Sequence, residues 1–598
     1  MWGYSPPLED MQFVIDELLE VRQDWRLIPR FAELDADTVP QILEAAGHFV
    51  VQSLAPINAS GDLQGCRYED GAVVTPEGFP AAYRRFVEAG WPALPCDPDL
   101  GGQGLPQILN AALYEMLYST NHGWAMYSGL AHGAYECLRA HAPDWIKSVY
   151  LPKIVSGEWL TTMCLTEPQA GSDVGLVRTR AEPRADGSYA LTGAKIFISG
   201  GEHDLTDNIV HLVLARLPDA PAGTRGISLF LVPKLAGSAG AARRNSIGCT
   251  GIEKKMGIKG SSTCVMNFAA AEGWMIGEPN RGLAAMFVMM NSARLYVGLQ
   301  GLGHAEMACQ NALRYAGERL QMRAVTRPSP AGGATHGGPP AGGADPIILQ
   351  PAMRKTLMTL RVFVEGERAL GLWAAHLLDL AEFHPDSVQR SRAQDLVSLL
   401  TPVIKSFFTE NGFTLSSAAL QVWGGYGYIH DYGIEQTVRD SRIAMIYEGT
   451  NEVQAIDLLV RKVIGDGGRK FALLLEALAA EADRCAAVPA CEPFAGSLGA
   501  AHAALARVTK ELVSEAEAHP EHAYRVAGDY LRLVGLTLLA CLWARAARLA
   551  LPRAAQGFYA AKRDSARFYF DHVMPEAQLR LHLIDQRRSP LPWISAAS

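Results

Sequence analysis

The sequence predicts an α+β multidomain protein, helical at both ends with a small antiparallel β domain between. Three observations carry this. Apolar residues recur at helical spacing up to about residue 160 and again after about 280. Between these stretches the period changes to short runs rich in Val, Ile, Leu and Phe, separated by Gly, Asp and Pro. Finally, 598 residues, 49% of them hydrophobic, are too many for one core, and such a length corresponds to about three or four domains.

Residues 1–160 read as a helical amino-terminal domain through "DMQFVIDELLEV", "VPQILEAAGHFVVQSLAPIN", "PAAYRRFVEAGW" and "ALYEMLYSTNHGWAMYSGLAHGAYECLRAHA". The turn-rich "PCDPDLGGQGLPQ" interrupts them. Residues 161–280 hold the strand candidates "SYALTGAKIFISGG", "DNIVHLVLARL", "GISLFLVPK" and "TCVMNFA", with "ADG" at 185–187 as a hairpin signal. Long amphipathic helices with short turns over 281–465 suggest a bundle, and 466–598 reads as a further helical domain. The apolar run at 533–544 is too short to span a bilayer and reads as a buried helix. Within "SARFYFDHVMPEAQLRLHLI" the apolar face suits packing on the bundle, with peripheral membrane contact as the alternative. The low-complexity stretch 327–346 reads as a mobile surface loop, with His336 as an exposed bystander.

Composition narrows the function. A net charge of −8 offers no broad surface for nucleic acid or an acidic membrane. Ten scattered cysteines, without C-x-x-C or zinc-ligand spacing, argue against a disulfide framework or a structural metal and suggest a reduced, cytoplasmic protein. The amino terminus lacks the pattern of a secretory signal, and its acidic residues argue against a transit peptide. No glycine loop matches a dinucleotide fingerprint or a P-loop; Gly298, Gly301 and Gly303 fall in a helical pattern and read as close helix packing.

One acid stands out. In "IYEGTNEVQAIDLLV", residues 446–460, the helical pattern begins after Gly449, so Glu448 lies just outside the helix. It is either a helix-entry acid favoured by the dipole or a base held in an apolar pocket.

Six blocks, in this order and spacing, resemble the acyl-CoA dehydrogenase family: "MCLTEPQAGSDVG" with "GAKIFISGG", then "KKMGIKGSSTCVMNF", "NSARLYVGLQGLG", "GERLQMR" and "QVWGGYGYIHDYGIEQTVRDSRIAMIYEGTNEVQ". The resemblance covers about residues 40–465. The carboxy-terminal extension looks most like the roughly 600-residue bacterial branch that includes methylthiopropanoyl-CoA dehydrogenases. It implies a helical amino-terminal domain, a β-barrel and a four-helix bundle, with FAD between barrel and bundle. It also implies α,β-dehydrogenation of an acyl-CoA thioester to a trans-2-enoyl-CoA, with electrons passed to an electron-transferring flavoprotein.

By the same resemblance Glu448 is the catalytic base. Some members carry that base directly before the arginine matching Arg294, but here the position is Ala293. Met163, Leu165, Thr166, Gly171 and Ser172 would contact FAD, Ser172 also approaching the CoA arm. Phe197, Ile198 and Ser199 would pack against the flavin, Phe197 replacing a usual Trp and so losing an indole N–H. Asn291, Arg294 and Gly449 would meet substrate, Asn291 standing where many members have Asp. Arg319, Gln421, Gly424 and Gly425 would hold the FAD of a neighbouring subunit, with Thr450 and Glu452 beside the same cofactor. A homodimer follows as the expected assembly, because in relatives with such a tail the extension covers a tetramer surface. Two other readings share this fold: an oxidase using oxygen and a DNA-associated flavoprotein.

Overall fold

The computed structural model describes residues 2–237, 243–328, 343–594 and the backbone of 334–336. The amino-terminal part is built around α1 (Thr38–Phe49), α2 (Phe79–Glu88), α3 (Gln107–Ser128), α4 (Ala131–His141) and α5 (Asp144–Val155). One element departs from the all-helical expectation. Strands β1 (Arg67–Glu69) and β2 (Ala72–Val74) form a hairpin. Its turn, Asp70–Gly71, has both residues at positive φ, the backbone that an Asp-Gly pair favours.

The β domain comprises β3 (Trp159–Cys164), β4 (Arg180–Pro183), β5 (Tyr189–Ser199), β6 (Asn208–Ala215), β7 (Ser228–Pro233), β8 (Ile247–Ile252) and β9 (Thr263–Ile276). They run in the order β3-β6-β7-β9-β5-β4, with β8 on β9. Pairing is antiparallel as expected, except that β3 lies parallel to β6. The sheet curls back on itself where Arg216 N donates to Thr179 O and Ala181 N donates to Arg216 O, each at 2.8 Å. That bridge joins the β4 edge to the end of β6 and closes the barrel.

Helices return with α6 (Gly282–Glu318), α7 (Pro351–Phe383), α8 (Ser387–Val403), α9 (Thr409–Trp423), α10 (Ile434–Ser441) and α11 (Asn451–Ile456). A π-helical turn, Ile404–Phe408, makes α8 and α9 one continuous rod just after Pro402. Gly298 and Gly301 behave as the spacing predicts. A Cβ at Gly298 would sit 2.4 Å from Ile404 Cγ2, and one at Gly301 would sit 2.3 Å from Phe408 O. Only glycine lets α6 come this close to the π-turn. Gly303 likewise abuts Ser119 N of α3, 2.8 Å from where a Cβ would be.

The tail adds α12 (Arg469–Ala486), α13 (Glu492–Glu515), α14 (Pro520–Ala550), α15 (Gly557–Phe568) and α16 (Glu576–Asp585). Helix α14 contains the 533–544 run, buried as expected, and a Cβ at its Gly535 would sit 2.4 Å from Phe407 Cδ2. Among the described residues two helices, α6 and Pro520–Arg553, are long and apolar enough to cross a bilayer, yet most of each apolar window is buried against the protein. In the last segment Tyr569, Ala577 and Ile584 face inward, while Leu579 and Leu583 are exposed.

One buried ion network ties the tail to the rest. Arg368 on α7 pairs with Asp10, Glu306 and, at 2.7 Å, Glu115. Lys562 on α15 pairs with the same Asp10 and, at 2.8 Å, with Glu365. Of the 327–346 stretch, Thr326–Pro328 pairs antiparallel with Ala334–His336. Residues 329–333 and 337–342, and the His336 side chain, lie outside the described residues, and with them the mobile-loop reading.

Candidate active site

Glu448 lies where the pattern places it, in a loop between the turn Arg442–Met445 and α11. Thr450 caps α11, its hydroxyl accepting from Val453 N at 3.4 Å. Glu448 (φ +55°) and Gly449 (φ +83°) are consecutive left-handed residues. For a non-glycine such as Glu448 that backbone costs roughly 1 kcal/mol, and strain of this kind collects at functional sites. The loop is pinned by Gln454, whose Nε2 donates to Glu448 O at 2.9 Å. A Cβ on Gly449 would lie 2.7 Å from that Nε2. Gly449→Ala is therefore expected to displace the loop and, if Glu448 is the base that the sequence resemblance implies, to slow flavin reduction by substrate up to about 10²-fold, as misplacement by about 1 Å does. Stopped-flow absorbance checks this; a wild-type rate would show that the loop geometry is immaterial.

Behind the loop, Tyr447 Oη donates to Gln300 Oε1 on α6. It also lies 3.3 Å from His122 Nε2, whose Nδ1 is 2.9 Å from His304 Nε2. Burial holds the His122 imidazole well below its ordinary range and brings His304 down to about 3, so both are neutral.

The Glu448 carboxyl is half-buried, and that burial raises its pKa above the ordinary carboxylate range. The positive charges of Arg294 and Lys405 oppose the rise. Arg294 is buried on α6, 3.5 Å from Asp457 Oδ2, with its Nε unpartnered. Asn291, one turn earlier and exposed, lies 3.5 Å from its Nη1. Lys405 sits on the π-turn with no exposed surface and donates to Asn451 Oδ1 at 3.1 Å. Burial lowers its pKa to about 7 against the pull of Glu448.

On the barrel, a buried ion pair organises the turn after β3. Lys195 Nζ donates to Glu167 Oε1 at 2.8 Å and to Leu165 O at 2.9 Å, and Ile196 N donates to Thr166 O at 2.9 Å. Burial alone would raise Glu167, but Lys195 and the donors of Thr179 and Arg178 bring it down to about 2. Thr166 is thereby fixed beside the strand that carries Phe197. Phe197 stands 59% exposed at φ +60°, an apolar ring held out from the barrel by unfavourable backbone. Gly171 and Ser172 are exposed. Met163 and Leu165 pack half-buried on the outer face of the sheet, in the cluster it shares with α4 and α5, whereas Ile198 is 2% exposed inside the barrel and Ser199 is half-buried.

A groove of about 490 Å³ gathers Arg319, Gly424 and Gly425 with Tyr315, Trp423 and Tyr426. The Arg319 guanidinium lies 5.3 Å over the Tyr426 ring, and Tyr315 stacks on Trp423 at 4.1 Å. Gly424 (φ +60°) and Gly425 have open space where a side chain would stand. Gln421 is exposed but does not line this groove, whereas Gln321 does. None of Glu448, Thr450 and Glu452 lines it, so the predicted residues fall in separate places on one chain. Among the described residues no group of three or more His, Cys, Asp or Glu could hold a metal ion.

Comparison with known proteins decides what this arrangement belongs to. Four domain profiles match in order: "Acyl-CoA dehydrogenase, N-terminal domain" at 37–158, "middle domain" at 162–271, "C-terminal domain" at 339–463, and "Acetyl-CoA dehydrogenase C-terminal like" at 474–591. A 3-methylmercaptopropionyl-CoA dehydrogenase of Ruegeria pomeroyi is 42% identical over 89% of this chain and 89% of its own length. The chain belongs to the acyl-CoA dehydrogenase family. A butyryl-CoA dehydrogenase of Syntrophomonas wolfei is 32% identical over 96% of this chain and 95% of its own. In fold, the chain is similar to Caenorhabditis elegans ACDH-11 in complex with C11-CoA, with TM-score 0.76 at 19% identity, covering 96% of this chain and 92% of that one. It is also similar to an acyl-CoA dehydrogenase complexed with FAD from Bacillus anthracis, with TM-score 0.68 at 19% identity, covering 98% and 96%.

This acyl-CoA dehydrogenase is a flavin oxidoreductase acting on CH–CH bonds, and its cofactor is FAD. The barrel surface suits such a group. It offers the outward Phe197 ring as an apolar wall and the Thr166 and Ser172 hydroxyls, which have no protein partner among the described residues. Lys405, Asn451 and Gln454 escape the sequence reading. Lys405 does leave a signal, a single charge in the apolar run "LVSLLTPVIKSFF".

Proposed function

We propose that this acyl-CoA dehydrogenase converts an acyl-CoA thioester to the trans-2-enoyl-CoA with Glu448 as the α-proton base. The observation that carries the reading is Glu448 itself: a strained, half-buried carboxylate pinned through its own carbonyl, with burial raising its proton affinity and two cations restraining it. A base of this kind gains basicity as substrate excludes water. FAD, when bound, supplies the acceptor for the β-hydride. Thr166, Ser172 and Phe197 would hold its ring system. The groove at Arg319, Gly424 and Gly425 would take the FAD of a second copy, making the homodimer a condition of cofactor binding, and an electron-transferring flavoprotein would take the electrons. The chain would divide into domains at about residues 160, 280 and 465.

The test is an anaerobic titration of the FAD-loaded protein with butyryl-CoA, 3-methylmercaptopropionyl-CoA and an eleven-carbon acyl-CoA. Bleaching of the flavin by at least one is expected, with the thioether substrate foremost because of the 42% identical relative. Flavin that stays oxidised with all three would defeat the proposal. In solution the mass should be about twice 64.6 kDa, and a monomer that still binds FAD fully would remove the shared-site reading.

A further inference from the structure

We propose that Lys405 is a positioning residue for proton abstraction: its buried ammonium, held by Asn451, fixes the loop that carries Glu448 and favours the ionised carboxylate. This rests on the reading of Glu448 as the base.

The argument begins with the helix rod. Pro402 removes one backbone donor, and the rod widens into the π-turn Ile404–Phe408. Such turns re-aim side chains and recur at functional sites. The turn is held from two sides by missing side chains, with Gly298 and Gly301 of α6 against Ile404 and Phe408, and Gly535 of the tail against Phe407. Arg532 of the tail also lies 4.7 Å over the Phe407 ring. Lys405 is thus locked on rigid elements, with its side chain wholly inside the protein.

Asn451, three residues after Glu448, is where rod and loop meet. Its Oδ1 accepts from Lys405 Nζ and Thr409 Oγ1, each at 3.1 Å. Its Nδ2 donates to Ser406 O at 3.3 Å and to Glu410 Oε2 at 3.2 Å. The loop is therefore tied to the π-turn immediately beyond the base.

Charge completes the case. A buried ammonium with a single neutral acceptor is costly unless an anion lies near. The anions that act on Lys405 are Glu448 and Glu452, while Arg294 acts against it. Arg294 is itself engaged by Asp457, which also faces Lys462, and Arg442 acts on Glu452. Arg294 also acts on Glu448, but Lys405 adds to its charge a hydrogen bond to the loop, through Asn451.

The test compares Lys405→Met, Asn451→Ala and Glu448→Gln with wild type, all loaded with FAD. Flavin reduction by butyryl-CoA is followed anaerobically between about pH 6 and 9, the range in which a tuned carboxylate base titrates. Without the cation the carboxylate keeps its proton to higher pH, so the acid limb of Lys405→Met moves upward. The rate falls about tenfold near pH 6, where Lys405 is charged in wild type, and recovers at high pH, where wild type has lost that charge as well. A merely structural role would lower the rate equally at every pH. The infrared band of the Glu448 carboxylate, isolated as the difference spectrum between each protein and the same protein carrying Glu448→Gln, should titrate at higher pH in Lys405→Met even without FAD. Should Lys405→Met not fold, Asn451→Ala takes its place, with the limb moving the same way. An unmoved limb in whichever variant folds overturns the role of Lys405. Glu448→Gln separates the two failures: a wild-type reduction rate there would sink the base assignment itself, whereas a dead Glu448→Gln with an unmoved limb sinks only Lys405.

Discussion

Replacing Glu448 by glutamine should slow flavin reduction about 10²–10⁴-fold, the usual worth of a positioned general base. The substitution keeps the size of the side chain and leaves the backbone tether from Gln454 Nε2 to the carbonyl of residue 448. What disappears is the proton acceptor. The acyl-CoA should still bind, so the flavin spectrum would shift on mixing without bleaching. The expected pH profile has a definite sign: because burial raises the Glu448 carboxyl, wild-type activity falls as pH drops through that raised value and the base becomes protonated. A Gln variant that bleaches at the wild-type rate would remove Glu448 from the chemistry, and Ala293 offers no replacement.

Lys562→Met should be the most destabilising single change in the tail. Lys562 is 4% exposed and pairs with Asp10 and Glu365, while Asp10 also serves Arg368. Removing the ammonium leaves two carboxylates in a region where Glu115 and Glu306 already share one guanidinium. Breaking a buried pair in this way costs about 3–5 kcal/mol. Urea unfolding at fixed FAD concentration should show the tail releasing at a lower midpoint than in wild type, and limited proteolysis should cut near α15 first. An unchanged midpoint would mean that apolar packing, such as Trp543 under α7, holds the tail without the ions.

Much of this architecture is legible in the residues, for identifiable reasons. The barrel strands are visible because their apolar runs end in Gly and Asp turns, and Gly298 and Gly301 read as packing because glycine within a helical period has few other uses. The hairpin at 67–74 is hidden, since a short pair of strands inside a helical stretch carries little periodic signal, although "EDG" marks the turn. The loop position of Glu448 follows from the phase of the helix after it. Its electrostatics do not. Lys405 and Arg294 approach it from helices 43 and 154 positions away in the chain, and only packing of α6 against the π-turn brings them together. Likewise, the pleat divides the residues of these segments: Ile198 turns into the barrel interior, whereas Met163 and Leu165 face the cluster shared with α4 and α5.

The contact between Asp10 and Lys562 joins positions 552 apart. During synthesis, at about 5–20 residues per second, Asp10 is made roughly half a minute to two minutes before Lys562. Arg368, the other cation on Asp10, is made earlier in that interval, but the pair with Lys562 waits for the end of the chain. The seam between the two ends of the chain is therefore completed only when the last helices arrive.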